Sequence, residues 1–209
     1  MKLTPEKAHE IFKNICSIQY PDGVVFDTEN ITAQQIIEQA KYKGIRVKII
    51  AKLDTIKQPL QIDLGIGDAL FKPLEVEYPT LLDFDNPVIL AYSPHSVIAE
   101  KFEAMIWLSE INSRMKDFYD VYTLLKSENL DKENLRMAIK QTFEHRQTEF
   151  TYPHPLFNEA FPRDTDRIKQ WEAFLKRNKL LLNLSFYEVW KEIVSVLEPI
   201  YKELSQADN

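Results

Sequence analysis

The sequence predicts an α+β protein in which a small sheet-containing unit precedes a bundle of helices. Two runs of alternating apolar and polar residues, "IRVKIIAKL" and "LQIDLGIGD", are separated by only six residues, which predicts an antiparallel hairpin. From Ser93 onward, apolar residues recur at helical spacing almost to the end of the chain. We therefore predict two domains, an α/β domain over residues 1–92 and a helical bundle over residues 93–209.

The first domain is expected to contain two helices besides the hairpin. A short helix is predicted over residues 5–17, and a Pro-Asp-Gly turn then leads into a strand in "GVVFD". Thr32 and Gly44 bound the segment "TAQQIIEQAKYKG", which predicts a second helix. Its apolar residues share helical spacing: Ile36, Ile37 and Ala40. A further short strand is expected around residues 88–91.

Five helices are predicted in the second domain. Their segments are "SPHSVIAEKFEAMIWLSEI", "SRMKDFYDVYTLLKS", "DKENLRMAIKQTFEHR", "DTDRIKQWEAFLKRN" and "SFYEVWKEIVSVLEPIYKEL". Ser185 and Glu188 have the spacing of a capping box at the start of the last helix. Pro199 is expected to kink or shorten that helix.

Composition excludes several classes of protein. A net charge of -6 over 209 residues lacks the basic footprint of a dedicated nucleic-acid binder, so any such contact must be local. The single cysteine, Cys16, excludes an internal disulfide and argues against a zinc site built on thiolates. No apolar run approaches the roughly 20 residues of a membrane span, and the first segment has no signal-peptide pattern. We expect a cytoplasmic protein.

Asp63 is the first candidate functional residue, because it lies on the polar face of the predicted hairpin. Gly65 and Gly67 follow it, and their missing side chains would let a ligand or another backbone approach closely. The alternative is an exposed strand carboxylate that pairs with a neighbouring lysine. The alternation of residues does not decide between these two interpretations.

The second candidate is a group of charged residues on two consecutive predicted helices. Lys101 lies off the buried stripe of the first helix, as do Glu100 and Glu103, while Asp117 and Asp120 occupy neighbouring positions on the second. Two pairs also have the spacing of ordinary intrahelical ion pairs, each contributing a few tenths of a kcal/mol. These pairs are Arg114 with Asp117 and Lys116 with Asp120. A binding site and a set of surface pairs both fit the pattern.

The third candidate is a local excess of positive charge over residues 41–57, a segment that contains six basic residues and only one acidic residue, Asp54. Such a segment could hold a polyphosphate or a nucleic acid. Basic residues also protect an edge strand from pairing with another chain. The six residues are Lys41, Lys43, Arg46, Lys48, Lys52 and Lys57.

Several short motifs occur in the order and spacing of a known family. The segments "YKGIRVKIIAKL", "PLQIDLGIGD", "YPTLLDF", "AYSPHSVIAEKFEAMI" and "NSRMKDFYDVYTLL" together resemble the AbiEii/AbiGii-type toxin family of nucleotidyltransferases. The resemblance continues more weakly through "AIKQTFEHRQTEF" and "WEAFLKRN", and so covers nearly the whole chain. Members look like polymerase β-type nucleotidyltransferases, which implies a small mixed sheet, a helical domain and a cleft between them.

The resemblance implies roles for the residues at matching positions. Asp63 matches a strand-borne carboxylate that binds Mg²⁺, and Lys101 matches the lysine of an AEK motif, expected to contact nucleotide phosphates. Asp117 and Asp120 match a KDxYD motif, so all four residues are expected to line the cleft and serve catalysis. The implied nucleotide-binding residues are Lys101, Arg114, Lys116 and Gly65. The implied nucleic-acid-binding residues beside the cleft are Lys43, Arg46, Lys48 and Lys52.

The implied reaction is attack by an acceptor hydroxyl on the α-phosphate of a nucleoside triphosphate, with pyrophosphate leaving. Two Mg²⁺ ions about 4 Å apart would stabilise the attacking and leaving oxygens. The family resemblance further implies RNA of tRNA type, or a protein, as acceptor, and an antitoxin as partner of a toxin.

One departure from the family pattern affects this expectation. The family's first motif, a glycine-containing turn followed by an Asp-x-Asp pair, is not found upstream of "DGVVFD". Asp27 and Glu29 form an Asp-x-Glu pair, but their register fits a later strand. Because Asp63 alone cannot hold two metal ions, the alternative is a catalytically incomplete module of the same fold that binds nucleotide or nucleic acid.

Overall fold

The α+β class predicted from the sequence is confirmed. The computed structural model of the chain describes residues 3–38, 42–65, 70–180 and 184–207. Within these ranges it contains six α-helices and six strands, with the strands in the first half of the chain and five of the helices after them. The chain divides into two compact units, Met1–Asp68 and Ala69–Asn209.

The first unit is a four-stranded antiparallel sheet with one helix on it. The helix is α1 (Pro5–Cys16), and the strands are β1 (Val25–Phe26), β2 (Thr32–Glu38), β3 (Tyr42–Leu53) and β4 (Ile56–Gly65). β3 is the central strand, because β4 pairs along one of its edges and β1 and β2 pair along the other. The helix predicted over residues 5–17 and the strand predicted in "GVVFD" are thereby confirmed.

Alternation along β3 builds the core of this unit. Ile45, Val47 and Ile49 are buried on one face, since successive side chains of a strand point to opposite sides. They form one cluster with Ala8 and Cys16 of α1. Burial raises the pKa of the Cys16 thiol, which keeps it protonated and unreactive at neutral pH.

The predicted hairpin is confirmed, and its connection is shorter than the sequence indicated. β3 and β4 pair from Gly44 opposite Gly65 to Leu53 opposite Ile56, which leaves only two residues between the strands. Asp54, the first of the two, has a φ of 51°, and aspartate tolerates this left-handed conformation better than most residues. The remaining residues of the expected six-residue loop belong to β4.

The helix predicted from Thr32 is wrong over the part of it that the structure describes. Residues Thr32–Glu38 form strand β2, which pairs with β3 from Thr32 opposite Lys48 to Glu38 opposite Tyr42. This pairing satisfies the backbone groups, and the β-branched residues of the segment fit a pleated sheet better than a short helix. Residues 39–41, which include the predicted helical position Ala40, lie outside the described residues.

Gly44, expected to end that helix, instead serves close packing between strands. A Cβ atom at this position would lie 3.0 Å from the backbone oxygen of Leu64 and 3.1 Å from Cγ1 of Ile36. A larger residue would therefore push β2 or β4 away from β3.

The second unit combines a two-stranded sheet with the five predicted helices. β5 (Leu74–Glu77) pairs antiparallel with β6 (Val88–Ala91). The prediction of β6 is confirmed, whereas the short run of β5 between two prolines was missed. The five helices are all confirmed: α2 (Pro94–Leu108), α3 (Met115–Ser127), α4 (Lys132–Arg146), α5 (Thr165–Arg177) and α6 (Phe186–Ala207).

The second unit starts well before residue 92, where the sequence placed the domain boundary. Phe71 explains the difference, because it is buried in the core of the helical bundle. Its N–H donates to the Ser96 hydroxyl over 3.0 Å, and its carbonyl accepts from the hydroxyls of Ser93 and Ser96 over 2.6 and 2.9 Å. The segment before β5 is thus fixed to the start of α2.

Aromatic side chains form much of the bundle core and fix the charged residues beside them. Phe102 of α2 and Phe118 of α3 are both fully buried, and they directly follow Lys101 and Asp117 in sequence. Phe118 packs edge-on against Phe186 with ring centroids 5.0 Å apart. Because each charged residue is adjacent to a buried aromatic ring, its backbone position is set by the core.

The last helix begins as predicted but is not shortened by its proline. Ser185 and Glu188 form a capping box, in which the Ser185 N–H donates to the Glu188 carboxylate over 2.8 Å. The Glu188 N–H donates in turn to the Ser185 hydroxyl over 3.3 Å. The helix continues through Pro199 to Ala207, with Tyr201 and Leu204 beyond the proline buried in the core.

Among the residues that the structure describes, none of the helices combines the length and apolarity that crossing a bilayer requires. The cytoplasmic location stays a prediction.

Candidate functional site

The structure brings three of the predicted site residues together at the contact of α2 with α3. The ammonium of Lys101 lies 2.7 Å from Oδ1 of Asp117 and 2.9 Å from Oδ2 of Asp120. Residues three apart on a helix are neighbours on its surface, so a single lysine from α2 contacts both carboxylates of α3. The side chains are 22%, 12% and 21% exposed respectively. We call these three residues the lysine cluster.

Two further cations border the lysine cluster, and both intrahelical pairs anticipated from the spacing are present. Lys116 contacts Oδ2 of Asp120 over 2.5 Å. Arg114 is 3.9 Å from Oδ2 of Asp117, which is too long for a hydrogen bond. Three cations thus surround two carboxylates, and the five residues together carry one net positive charge.

The ionisation of the cluster is set by two opposing effects. Burial by itself lowers the pKa of Lys101, but its hydrogen bonds to Asp117 and Asp120 outweigh burial, and the pKa is raised overall. Burial likewise raises the pKa of Asp120, but hydrogen bonds from Lys116 and Lys101 outweigh it, and the pKa is lowered overall. Lys101 and Asp120 are therefore both charged at neutral pH.

The ammonium of Lys101 retains one hydrogen-bond donor. A lysine ammonium has three N–H groups, and Asp117 and Asp120 occupy two of them. Within the described parts of the chain, no further partner of this ammonium is found. An oriented cation with a free donor is suited to bind a phosphate oxygen.

The lowered pKa of Asp120 predicts how stability responds to acid. A carboxyl group with a depressed folded pKa contributes stability above its unfolded pKa, 3.8, and loses it as pH falls through the lower folded pKa. We expect Asp120→Asn to reduce the free energy of unfolding by about 1 kcal/mol at pH 7 and to flatten the acid limb of the profile. Urea unfolding at pH 7, 5 and 3 measures this. Parallel profiles for the variant and the wild type would contradict the assignment, and Asp166→Asn is the control.

Asp63 lies in the other unit, on β4, where it faces Arg46 across the hairpin. Oδ1 accepts from Nε of Arg46 over 2.7 Å and Oδ2 accepts from Nη2 over 2.8 Å, which is a bidentate pair. Gln61 donates to the same carboxylate over 3.3 Å. The hydrogen bonds from Arg46 lower the pKa of Asp63. The ion-pair alternative is thus present, with arginine in place of lysine.

The basic residues of β3 differ in how much of their charge is neutralised. Lys52 pairs with Asp27 over 2.8 Å, as Arg46 does with Asp63. Lys48 is exposed and has no ion pair among the described residues, and the side chain of Lys43 lies outside them. Protection of an edge strand is the wrong explanation for these charges, because β3 is paired along both edges. Their role in nucleic-acid binding stays a prediction.

The carboxylates that the family resemblance places at the site already contact cations of the chain itself. Among the described residues, no group of three His, Cys, Asp or Glu side chains could hold a metal ion. Both oxygens of Asp63 face a guanidinium, and Lys101 occupies the position between Asp117 and Asp120 that a cation would take. Gly65 ends β4, and Gly67 lies outside the described residues.

Glu103 is a residue whose position the sequence analysis predicted wrongly. It was placed off the buried stripe of α2, but it is 0% exposed and contacts Arg146 of α4 over 2.8 Å. The Thr148 hydroxyl donates to its other oxygen. The spacing of apolar residues in the sequence does predict its burial, because Ala99 lies four residues before Glu103 and Ile106 three residues after it, on the same side of the helix. This pair joins α2 to α4.

Comparison with known families decides the assignment. The family described as "Nucleotidyl transferase AbiEii toxin, Type IV TA system" matches residues 3–195 of this chain. The chain belongs to the AbiEii nucleotidyl transferase toxin family. The resemblance carried by the ordered motifs is therefore confirmed, and the AbiEii match spans both Asp63 and the lysine cluster.

One solved structure is similar to this AbiEii-family chain at low identity. It is described as "Crystal structure of JHP933 from Helicobacter pylori", and it is 16% identical. The match covers 90% of this chain and 69% of that chain, with a TM-score of 0.42, which is too low to carry an inference. No curated protein matches the chain.

Proposed function

We propose that this AbiEii-family chain binds a nucleoside triphosphate, as its Mg²⁺ complex, at the lysine cluster and transfers the nucleotide to a hydroxyl of RNA or protein. The observation that carries the proposal is the ammonium of Lys101, which two carboxylates orient while leaving one donor free. Membership of a nucleotidyl transferase toxin family supports the reaction type.

The charges of the cluster fit this role. A triphosphate is strongly anionic, and Lys101 together with the four charged residues around it carries one net positive charge at neutral pH. Lys101 would donate to a phosphate oxygen, and Arg114 and Lys116 would contact the neighbouring oxygens. Fixed cations at the triphosphate stabilise the charge that develops on the leaving pyrophosphate.

Asp63 is proposed as the carboxylate at the transfer centre, on the basis of its family match. Both of its oxygens are held by Arg46 in the structure. A catalytic role therefore requires that the guanidinium release at least one oxygen when substrate binds.

The decisive experiment incubates the protein with labelled nucleoside triphosphates, Mg²⁺ and total RNA. We expect Asp63→Ala to abolish nucleotide incorporation, because it removes the proposed carboxylate. The matched control is Asp27→Ala, which also removes a carboxylate paired with a basic residue of β3 and should retain incorporation. Unchanged incorporation by Asp63→Ala would refute the role of this residue.

A second candidate function is nucleotide or nucleic-acid binding without transfer. It is favoured by one observation, the lack of a three-carboxylate group among the described residues. The same assay separates the candidates, because this one predicts saturable nucleotide binding by the wild type and no incorporation into any acceptor.

We further propose that the chain acts as a toxin with an antitoxin partner, as membership of a type IV toxin–antitoxin family suggests. Growth after induced expression tests this, with Asp63→Ala as the comparison. If the wild type and Asp63→Ala inhibit growth equally, the toxicity does not depend on nucleotide transfer through Asp63.

A further inference from the structure

A cavity of about 580 Å³ lies in the second unit, beside the lysine cluster and between α3 and α5. The first turn of α3 forms one wall, and the second half of α5 forms the other. The side chains that matter to its chemistry are Arg114, Lys116 and Asp117 from α3, and Gln170, Phe174 and Arg177 from α5.

The lining of this cavity carries an excess of positive charge. Three cations and one carboxylate, Asp117, line it. Lys101 contacts Oδ1 of Asp117 and Lys116 contacts Asp120, so the excess of positive charge comes from Arg114 and Arg177. Arg114 reaches Asp117 only at 3.9 Å, and Arg177 forms no ion pair within the described ranges. No side chain caps the first turn of α3, since Arg114 stands at the N-cap position and offers no acceptor.

The positive charge extends beyond the cavity along the end of α5. Lys176, Arg177 and Lys179 are all exposed, and none of them is paired with a carboxylate in the described part of the chain. Cations in the last turn of a helix also stabilise its carbonyl end. That accounts for the first two residues but not for Lys179, which follows the helix with a φ of 52°. This arrangement contrasts with β3, where Arg46 and Lys52 are both ion-paired.

We propose that the cavity and the adjoining residues 176–179 bind the phosphate backbone of single-stranded RNA, the acceptor in the proposed function, on which this interpretation rests. The volume is that of a pocket for one small ligand, so it admits one nucleotide rather than a duplex. The cavity alone would be enough to bind a free phosphate. The unpaired cations of residues 176–179 extend away from the cavity, and such a row of charges is suited to a polyanion. Binding releases the counterions of each phosphate that these residues neutralise.

The test measures RNA binding without nucleotide or Mg²⁺, so that it does not depend on transfer. Fluorescence anisotropy of a labelled single-stranded RNA compares the wild type with the double variant Arg177→Gln, Lys179→Gln. We expect roughly tenfold weaker binding, and a slope of log affinity against log salt that is smaller by about 1.4, or about 0.7 for each lost phosphate contact. The matched control is Lys140→Gln, Lys169→Gln, which removes two exposed lysines engaged in intrahelical pairs and should bind like the wild type.

Equal affinity of the double variant and its control overturns the proposal. So does a wild type that binds inorganic phosphate or an acidic peptide but not RNA. A parallel double variant, Lys48→Gln, Lys57→Gln, tests whether the sheet of the first unit binds RNA instead. If this variant loses RNA binding and the Arg177→Gln, Lys179→Gln variant does not, the proposed role of the cavity is refuted. Lys179→Gln alone serves if the double variant does not fold. The Arg177→Gln, Lys179→Gln variant should bind nucleoside triphosphate with wild-type affinity. A failure of the proposed nucleotide site at Lys101 can therefore be distinguished from a failure of the RNA-binding proposal.

Discussion

Replacing Lys101 with methionine is expected to weaken nucleoside triphosphate binding about 30-fold. A hydrogen bond to a charged group contributes about 2 kcal/mol, and 1.4 kcal/mol corresponds to a factor of ten. Methionine keeps most of the length and apolar stem of lysine but provides neither charge nor donor. The variant also leaves Asp117 and Asp120 without their shared cation, which should lower the free energy of unfolding by about 1–2 kcal/mol.

Controls separate loss of the ligand contact from loss of stability. Lys116→Met also removes a cation that contacts Asp120. Because the Lys116 side chain is 71% exposed, we expect smaller effects on nucleotide affinity and on the free energy of unfolding. Lys101→Arg keeps the charge and should retain part of the affinity. Calorimetric titration and urea unfolding of each variant give the two quantities independently. A folded Lys101→Met protein with wild-type affinity would exclude the lysine cluster as the nucleotide site.

The sequence predicted the helices well because their signal is local. Each of the five later helices repeats its apolar residues at helical spacing over at least 13 residues, and a cap or proline marks most starts. β2 was predicted wrongly because its conformation depends on a partner strand. Thr32 pairs with Lys48, and no feature within the segment itself reports that contact.

The candidate site was only partly visible in the sequence for the same reason. The ordered motifs pointed to Lys101, Asp117 and Asp120, and residue spacing gave the pairs of Arg114 and Lys116. The bridge from α2 to both carboxylates of α3 requires the packing of the two helices. Arg177 of α5 enters the cavity only because α5 packs against α3.

The partner of Asp63 could not be read from alternation either. Alternation gives the face of a strand, whereas the register of a hairpin depends on its turn. The two-residue turn at Asp54 and Thr55 places Arg46 directly opposite Asp63. A six-residue loop between the same strands would have left that register undetermined.

Replacing Arg146 with methionine is expected to lower the free energy of unfolding by about 3 kcal/mol. Glu103 is fully buried, and the variant leaves its carboxylate with the Thr148 hydroxyl but without the guanidinium 2.8 Å away. Breaking a buried ion pair by removing one partner leaves an uncompensated charge, which is strongly destabilising. Urea unfolding at neutral pH measures the change. The control is Arg136→Met on the same helix, which removes a partly exposed arginine from two exposed carboxylates, Glu133 and Glu203, and should have a much smaller effect.

The double variant Glu103→Met, Arg146→Met distinguishes a pair that stabilises the fold from one that only avoids a penalty. Because the second substitution removes the buried charge, it should restore most of the stability lost in Arg146→Met. Glu103 lies two residues after Lys101 on α2, so with α2 packed against α4 the double variant should bind nucleoside triphosphate like the wild type. A double variant with recovered stability but weaker nucleotide binding than the wild type would contradict this, and would give the Glu103–Arg146 pair a role in positioning Lys101 beyond holding the helices together.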